Sequence, residues 1–422
     1  MNVRSFSYLA LLPLALTSLA VAPGCGSPPA PFRRYETYAH KVELDNELEF
    51  TRGQRQSVDE VLIAFFGTPD EPRLPALEGV DVAAVLDINK LQMAAGPVGS
   101  DELGSPRGLY REHCAHCHGI TGDGNGPTAA FLNPYPRDYR KGWFKFKSTP
   151  VGQKPTDDDL TKIVLEGIPG TAMPAFALLP PIEVDALVEY VKYLSIRGEV
   201  ERRLYHALVE LEAGQRLVNV VQTNATAEQK QAQQEQLAVV QEIAADFVGR
   251  WSEAPTHSVE VPPRPEMNPE ELVESRKRGQ ELFYGSIANC VKCHGDSALG
   301  DGQLTDYDEW TKEFIGDGKN EELVHDYVAL GLPEPRIIRP RNLRQGVFRG
   351  GMRPVDIFWR LRNGIEGTPM PAVTLKPEGD PAAKGLTTDD VWDIVNYVQS
   401  LQYESVSDPR RAGEAANTRE RM

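Results

Sequence analysis

Cys114-Ala115-His116-Cys117-His118 and Cys290-Val291-Lys292-Cys293-His294 are the stretches on which the reading of this chain turns. The same series of features surrounds each. Gly108-Leu109-Tyr110 precedes the first; Pro136-Arg137-Asp138-Tyr139-Arg140-Lys141-Gly142 and then Gly167-Ile168-Pro169-Gly170-Thr171-Ala172-Met173-Pro174-Ala175 follow it. Gly279, Leu282 and Phe283 precede the second; Pro340-Arg341-Asn342-Leu343-Arg344-Gln345-Gly346 and Gly364-Ile365-Glu366-Gly367-Thr368-Pro369-Met370-Pro371-Ala372 follow it. Order and residue type agree at four separate places, so the chain is built from two copies of one unit. Each copy closes on an amphipathic helical pattern, Asp185 to Leu194 and Asp390 to Leu401.

Cys-x-x-Cys-His is the spacing at which two thiols reach two vinyl groups on one edge of a haem and the next histidine takes the iron as proximal ligand. The competing chemistries are a four-cysteine zinc site and a redox dithiol. Zinc ribbons separate their pairs by about 15 to 20 residues, whereas these pairs lie far apart and each begins its own repeat. The reading is two covalently bound haem c groups, on Cys114 and Cys117 with His118, and on Cys290 and Cys293 with His294. The sixth ligand belongs after the intervening loop and before the closing helix, where Met173 and Met370 stand, each followed by a proline that restricts the backbone. A thioether stabilises ferrous iron and raises the potential relative to two histidines. A core methionine is the ordinary alternative, and the matched contexts favour ligation. Met352 is read as packing, and the spare histidines His113 and His116 as surface or haem-adjacent. Gly108 and Gly279 would let the opening and closing helices of each unit cross closely around the flat cofactor.

With these residues in hand, both units resemble class I cytochrome c domains, over roughly residues 104 to 196 and 275 to 402. They are most similar to cytochrome domains of bacterial respiratory chains with Gly-Asp-Gly after the haem motif and Gly-Thr-x-Met-Pro at the distal ligand. The resemblance implies an all-α fold with one haem edge exposed. It also implies a backbone carbonyl near a post-motif proline that accepts a hydrogen bond from the proximal histidine. Pro127 fits that role in the first unit; the second has Gly300-Asp301-Gly302-Gln303-Leu304 and no proline there. The second unit is longer between its ligands, mainly in Tyr307 to Arg339.

Positive charge gathers after each motif: Arg137, Arg140, Lys141, Lys145 and Lys147 in the first unit, Arg336, Arg339, Arg341, Arg344 and Arg349 in the second. Arg137 and Arg341 are assigned to the haem propionates, because a buried carboxylate is costly without a partner. The others are read as solvated loops, with a docking patch as the sharper alternative.

The remaining chain frames these units. At 422 residues it is long enough for several cores, and a net charge of -16 argues against nucleic acid as a partner. Arg4 followed by Leu9 to Val21 reads as an export signal. Of five cysteines four belong to the motifs, and the fifth, Cys25 in Ala22-Pro23-Gly24-Cys25, reads as a lipoprotein-type lipidation site. Gly198 to Trp251, without proline, reads as two helices, with Thr226 and Gln229 as a capping box, and Pro255 to Pro265 as an extended connector. The expected organisation is a signal peptide over 1–25 and a tether and extension over 26–98. A first cytochrome c domain over 99–197, a helical linker over 198–265, a second cytochrome c domain over 266–404 and a tail over 405–422 follow.

The expected function is single-electron transfer between a membrane quinol-oxidising complex and a terminal oxidase or reductase, by an exported protein anchored to the membrane through lipidated Cys25. The rivals are a di-haem peroxidase or sulfur-compound dehydrogenase, and a haem subunit of a larger respiratory complex. A methionine in both units handicaps the enzyme, which needs an open position on one iron.

Overall fold

The computed structural model describes residues 30–404 except 213, 220–224, 378–379 and 381–382. The signal peptide, Cys25 and the tail lie outside the described residues. The fold is mostly α. Helices α1 (Glu36–Asp45), α2 (Arg52–Phe66) and α3 (Ile88–Ala94) precede the first motif. The first unit continues with α4 (Leu109–His113), α5 (Ala115–His118), α6 (Asp157–Glu166) and α7 (Pro181–Val209); α8 (Ala227–Ser252) follows. The second unit holds α9 (Pro269–Tyr284), α10 (Val291–His294), α11 (Glu309–Ile315), α12 (Glu321–Ala329), α13 (Pro354–Asn363) and α14 (Thr388–Ser400). One antiparallel ribbon, Gly99–Ser100 with Pro106–Arg107, adds two short strands. Among the described residues no helix is long and apolar enough to cross a membrane.

In the second unit α9 and α14 cross as the glycine pattern expects: a Cβ on Gly279 would fall 2.0 Å from the Asp393 carbonyl oxygen. Below the crossing Asn396 Nδ2 donates to Ser275 Oγ at 2.7 Å and Arg278 Nε to the Asp393 carboxylate at 2.8 Å, so the buried polar groups are satisfied. The first unit differs. Gly108 does not sit at a helix crossing but caps the five-residue α4 with φ +76°, against the backbone of Pro97 and Val98. The haem motif ends α4 after five residues, which bury Leu109 and Tyr110, and α3 makes the long crossing with α7 in its place, with Leu91 and Ala94 fully buried.

The closing helix expected over Asp185 to Leu194 continues to Val209. The boundary drawn at 197 and 198 therefore falls inside one helix. Gly198 ends nothing there; its missing side chain lets the Arg140 backbone approach, since a Cβ would lie 2.3 Å from the Arg140 Cα. The C-terminal half of α8 packs through Val240, Ala244 and Val248, and its first turn carries the Thr226–Gln229 capping box. The connector runs between the units, with the Val259 amide donating to the Ser148 carbonyl and Trp359 Nε1 to the Val259 carbonyl, both at 3.0 Å.

The larger core gathers residues from α1, α2, α3, α7 and α8 together with Phe314, Ile315 and Tyr327 of α11 and α12. The insertion of the second unit is thus folded into the first. Burying Phe314 and Ile315 stabilises that docking by roughly 1.5–3 kcal/mol each. Charges, several of them expected to be solvated, also fasten the two units together. Lys141, 2% exposed, pairs with Glu313; Glu313 also takes Arg202 at 2.5 Å. Lys147 pairs with Glu366, and Lys162 with Asp356. Arg336 donates to the Ala130 carbonyl at 2.9 Å and lies 3.9 Å over the Tyr135 ring. For Lys141, Lys147 and Arg336 the solvated-loop reading fails because each partner stands far away in the sequence, whereas Arg339 is exposed. Met352, read as packing, is half exposed.

Candidate functional site

One helical turn presents each motif. The His118 amide donates to the Cys114 carbonyl and the His294 amide to the Cys290 carbonyl, both at 2.9 Å. In that geometry cysteines three apart share a face. Burial pushes the Cys114 and Cys290 thiols up to about 12, opposite to the depressed value a redox dithiol requires. Among the described residues no group of three or more His, Cys, Asp or Glu could hold a metal ion.

Both imidazoles are oriented through Nδ1. His118 Nδ1–H donates to the Arg137 carbonyl and His294 Nδ1–H to the Arg341 carbonyl, each at 3.0 Å. That bond fixes the tautomer and leaves Nε2 as a lone pair. Burial lowers both histidines, His118 to about 4, so the rings are neutral near pH 7. Tyr139 stacks on His118 with centroids 4.8 Å apart. The acceptor is not near Pro127. The backbone there is bound to the motif itself, through the Gly126 amide to the Cys117 carbonyl and the Thr128 amide to the His116 carbonyl, both at 3.0 Å. Arg137 and Arg341 each follow a proline, Pro136 and Pro340, so the second unit lacks nothing at its histidine.

The methionine loops are equally matched. Met173 N donates to Thr171 Oγ1 at 3.1 Å, Thr171 Oγ1 donates to the Ile168 carbonyl at 2.8 Å, and Ile168 N returns to the Met173 carbonyl at 3.1 Å. In the second loop Met370 N donates to Thr368 Oγ1 at 3.3 Å, Thr368 Oγ1 to the Ile365 carbonyl at 2.7 Å, and Ile365 N to the Met370 carbonyl at 3.1 Å. The threonine of Gly-Thr-x-Met-Pro is a staple that fixes the backbone carrying the methionine.

All eight motif residues, Cys114, Cys117, His118, Met173, Cys290, Cys293, His294 and Met370, come together on one continuous cavity of about 1100 Å³. Arg137 and Arg341 line it too, with Lys145 and Arg349, none of the four in an ion pair among the described residues. Sequence reasoning missed Lys145 and Arg349 as site residues, although they hold the same place in the repeat, in Gly142-Trp143-Phe144-Lys145 and Gly346-Val347-Phe348-Arg349. Neutral histidines, thioethers and cations without carboxylate partners are the donors and countercharges that two haems with their propionates need; the residues fit the group. His113 packs edge-on against Phe176 at 5.7 Å.

Family comparison agrees with this geometry. Residues 101–191 match the family described as cytochrome c oxidase, cbb3-type, subunit III, and residues 276–402 match the cytochrome c family. The chain carries two cytochrome c domains and is a multi-haem c-type cytochrome. It binds two haem c groups covalently and is an electron-transfer protein. Among solved structures, a chain of the reducing HAO-like protein complex of Kuenenia stuttgartiensis is similar at 23% identity, covering 72% of this chain and 98% of that one, with a TM-score of 0.44. A search of curated proteins gives no match.

Proposed function

We propose that the chain carries single electrons between a membrane quinol-oxidising complex and a terminal oxidase or reductase, exported and tethered to the membrane through Cys25. His118 and Met173 would hold one iron and His294 and Met370 the other, with Cys114, Cys117, Cys290 and Cys293 bonded to the macrocycles. Each haem supplies a one-electron ferric/ferrous couple. The chain's residues set that couple: Arg137 and Arg341 hold the imidazoles by their carbonyls, the threonine staples hold the backbone that carries the methionines, and burial keeps water away.

The observation that carries this reading is the identity of the two methionine loops, bond for bond. Outer-sphere transfer needs no open coordination position, and a stapled methionine in both units leaves none for peroxide or a sulfur substrate. The test is carbon monoxide added to the reduced protein. The parent spectrum should hold, and Met173→Ala and Met370→Ala should each open one haem. One carbon monoxide bound per parent chain, with turnover of peroxide, would replace the carrier by the enzyme. The match of residues 101–191 to an oxidase subunit family supports a second reading, a haem subunit of a larger complex; stoichiometric co-purification with an oxidase from native membranes would favour it.

A further inference from the structure

Trp310 stands where the two units meet, and no role described so far uses it. It belongs to α11 in the insertion of the second unit, yet its surroundings are largely in the first. The Arg137 guanidinium carbon lies 3.6 Å from its ring centroid, Trp143 packs edge-on at 5.3 Å, and Lys141 Nζ donates to its carbonyl at 3.2 Å. The same indole is pressed against Gly367, in the loop that carries Met370. A Cβ on Gly367 would fall 1.4 Å from the ring, and the Glu309 amide donates to the Gly367 carbonyl at 3.2 Å. Its buried Nε1 has no hydrogen-bond partner among the described residues.

These contacts join into a line. The Arg137 carbonyl orients His118, its guanidinium rests on Trp310, and Trp310 backs the loop of Met370. The other unit returns the contact. The Arg341 carbonyl orients His294, and its guanidinium sits against Gly170 in the loop of Met173, where a Cβ would lie 2.5 Å from Nη2. Each arginine that fixes the histidine of its own unit thereby reaches the methionine loop of the other, directly in one direction and through Trp310 in the other.

We propose that the two haem sites are cross-braced, with Trp310 and Arg341 as positioning residues, so that the methionine bond and potential at each haem depend on the other unit. The proposal rests on Met173 and Met370 being the distal ligands. Cation–π contact and close packing give the brace its stiffness. Loss of a methionine ligand lowers a haem potential, which makes the brace visible to electrochemistry.

The test is a potentiometric titration of the full two-haem protein followed by visible absorption, with carbon monoxide binding to the reduced form as second readout. Met173→Ala and Met370→Ala assign the signals to haems. Trp310→Ala should lower the midpoint of the Met370 haem by a tenfold change in equilibrium constant, about 59 mV for one electron, and let it bind carbon monoxide. Trp310→Phe keeps a ring against Gly367 and should stay near the parent. Arg341→Gln should weaken the Met173 haem in the same two readouts. A merely structural tryptophan would lower the unfolding temperature and leave both midpoints in place, which overturns the proposal; so does a shift confined to the Met173 haem in Trp310→Ala. If Trp310→Ala does not fold, Trp310→Leu takes its place with the same expected and opposing results. If Met370→Ala remains low-spin and inert to carbon monoxide, the ligand assignment has failed and the brace is not at fault.

Discussion

Replacing Glu313 by Gln tests whether the insertion belongs to the first unit. Glu313 meets Lys141, whose side chain is 1% exposed, and Arg202, whose side chain is 15% exposed. Removing one partner from a buried pair costs about 3–5 kcal/mol, because the remaining charge stays desolvated. Glu313 keeps some contact with water at 13% side-chain exposure, which places the expected loss near the lower end, about 3 kcal/mol. At about 2–4 °C per kcal/mol for a large domain, the melting temperature should fall by roughly 6–12 °C. Thermal unfolding of the two-haem protein, followed by far-ultraviolet circular dichroism and haem absorption, measures it. Lys141→Met combined with Glu313→Gln removes the orphaned ammonium and should recover most of the loss. A Glu313→Gln protein within about 0.5 kcal/mol of the parent, inside the range of ordinary surface substitutions, would refute the reasoning, as would a double variant no more stable than the single one.

The same lysine gives a pH signature. Burial pushes the Lys141 ammonium down to about 8 against the pull of Glu313, while in the unfolded chain it titrates near 10.4. Between those values the unfolded state binds more protons, so stability should rise with pH; denaturant unfolding at pH 8 and 10, with Lys141→Met as baseline, should show the parent gaining on the variant. Gly279→Ala should cost several kcal/mol, because its Cβ would meet the Asp393 carbonyl at 2.0 Å, and urea titration should show an early loss of the second domain. A pyridine haemochrome assay should return two haems per chain, and Cys114→Ala with Cys117→Ala, or Cys290→Ala with Cys293→Ala, should each leave one. Cys25→Ser should release the protein from membranes into the soluble fraction; retention after a salt wash would show that the tether lies elsewhere.

Local chemistry made the site readable. Two thiols and an imidazole on one helical turn, and a threonine two places before each methionine, act over a few residues and leave a repeated spelling. The Thr226 cap was readable for the same reason. What the sequence hid is long-range. Lys141, Lys147 and Arg336 look like solvent-facing charge until Glu313, Glu366 and the Ala130 carbonyl are brought to them by the fold. Gly108 suggested a helix crossing, but the length of α4 decided otherwise, and α3 came from a stretch without any motif. The acceptor for His118 is a main-chain carbonyl, which no side-chain pattern announces, and Trp310 is one aromatic residue with no counterpart in the first copy.

The core that encloses α7 is completed by Phe314, Ile315 and Tyr327, which follow that helix at a long distance in the chain. Closing so long a loop slows folding. Until the insertion docks, the first unit has an apolar face of its core uncovered, while Cys114 and Cys117 are already available. Covalent attachment at the first motif can then proceed on an open, incomplete domain, and the arrival of the insertion seals it. Truncation before Pro269 should yield a chain that acquires one haem and aggregates through the uncovered face, rather than a smaller soluble cytochrome.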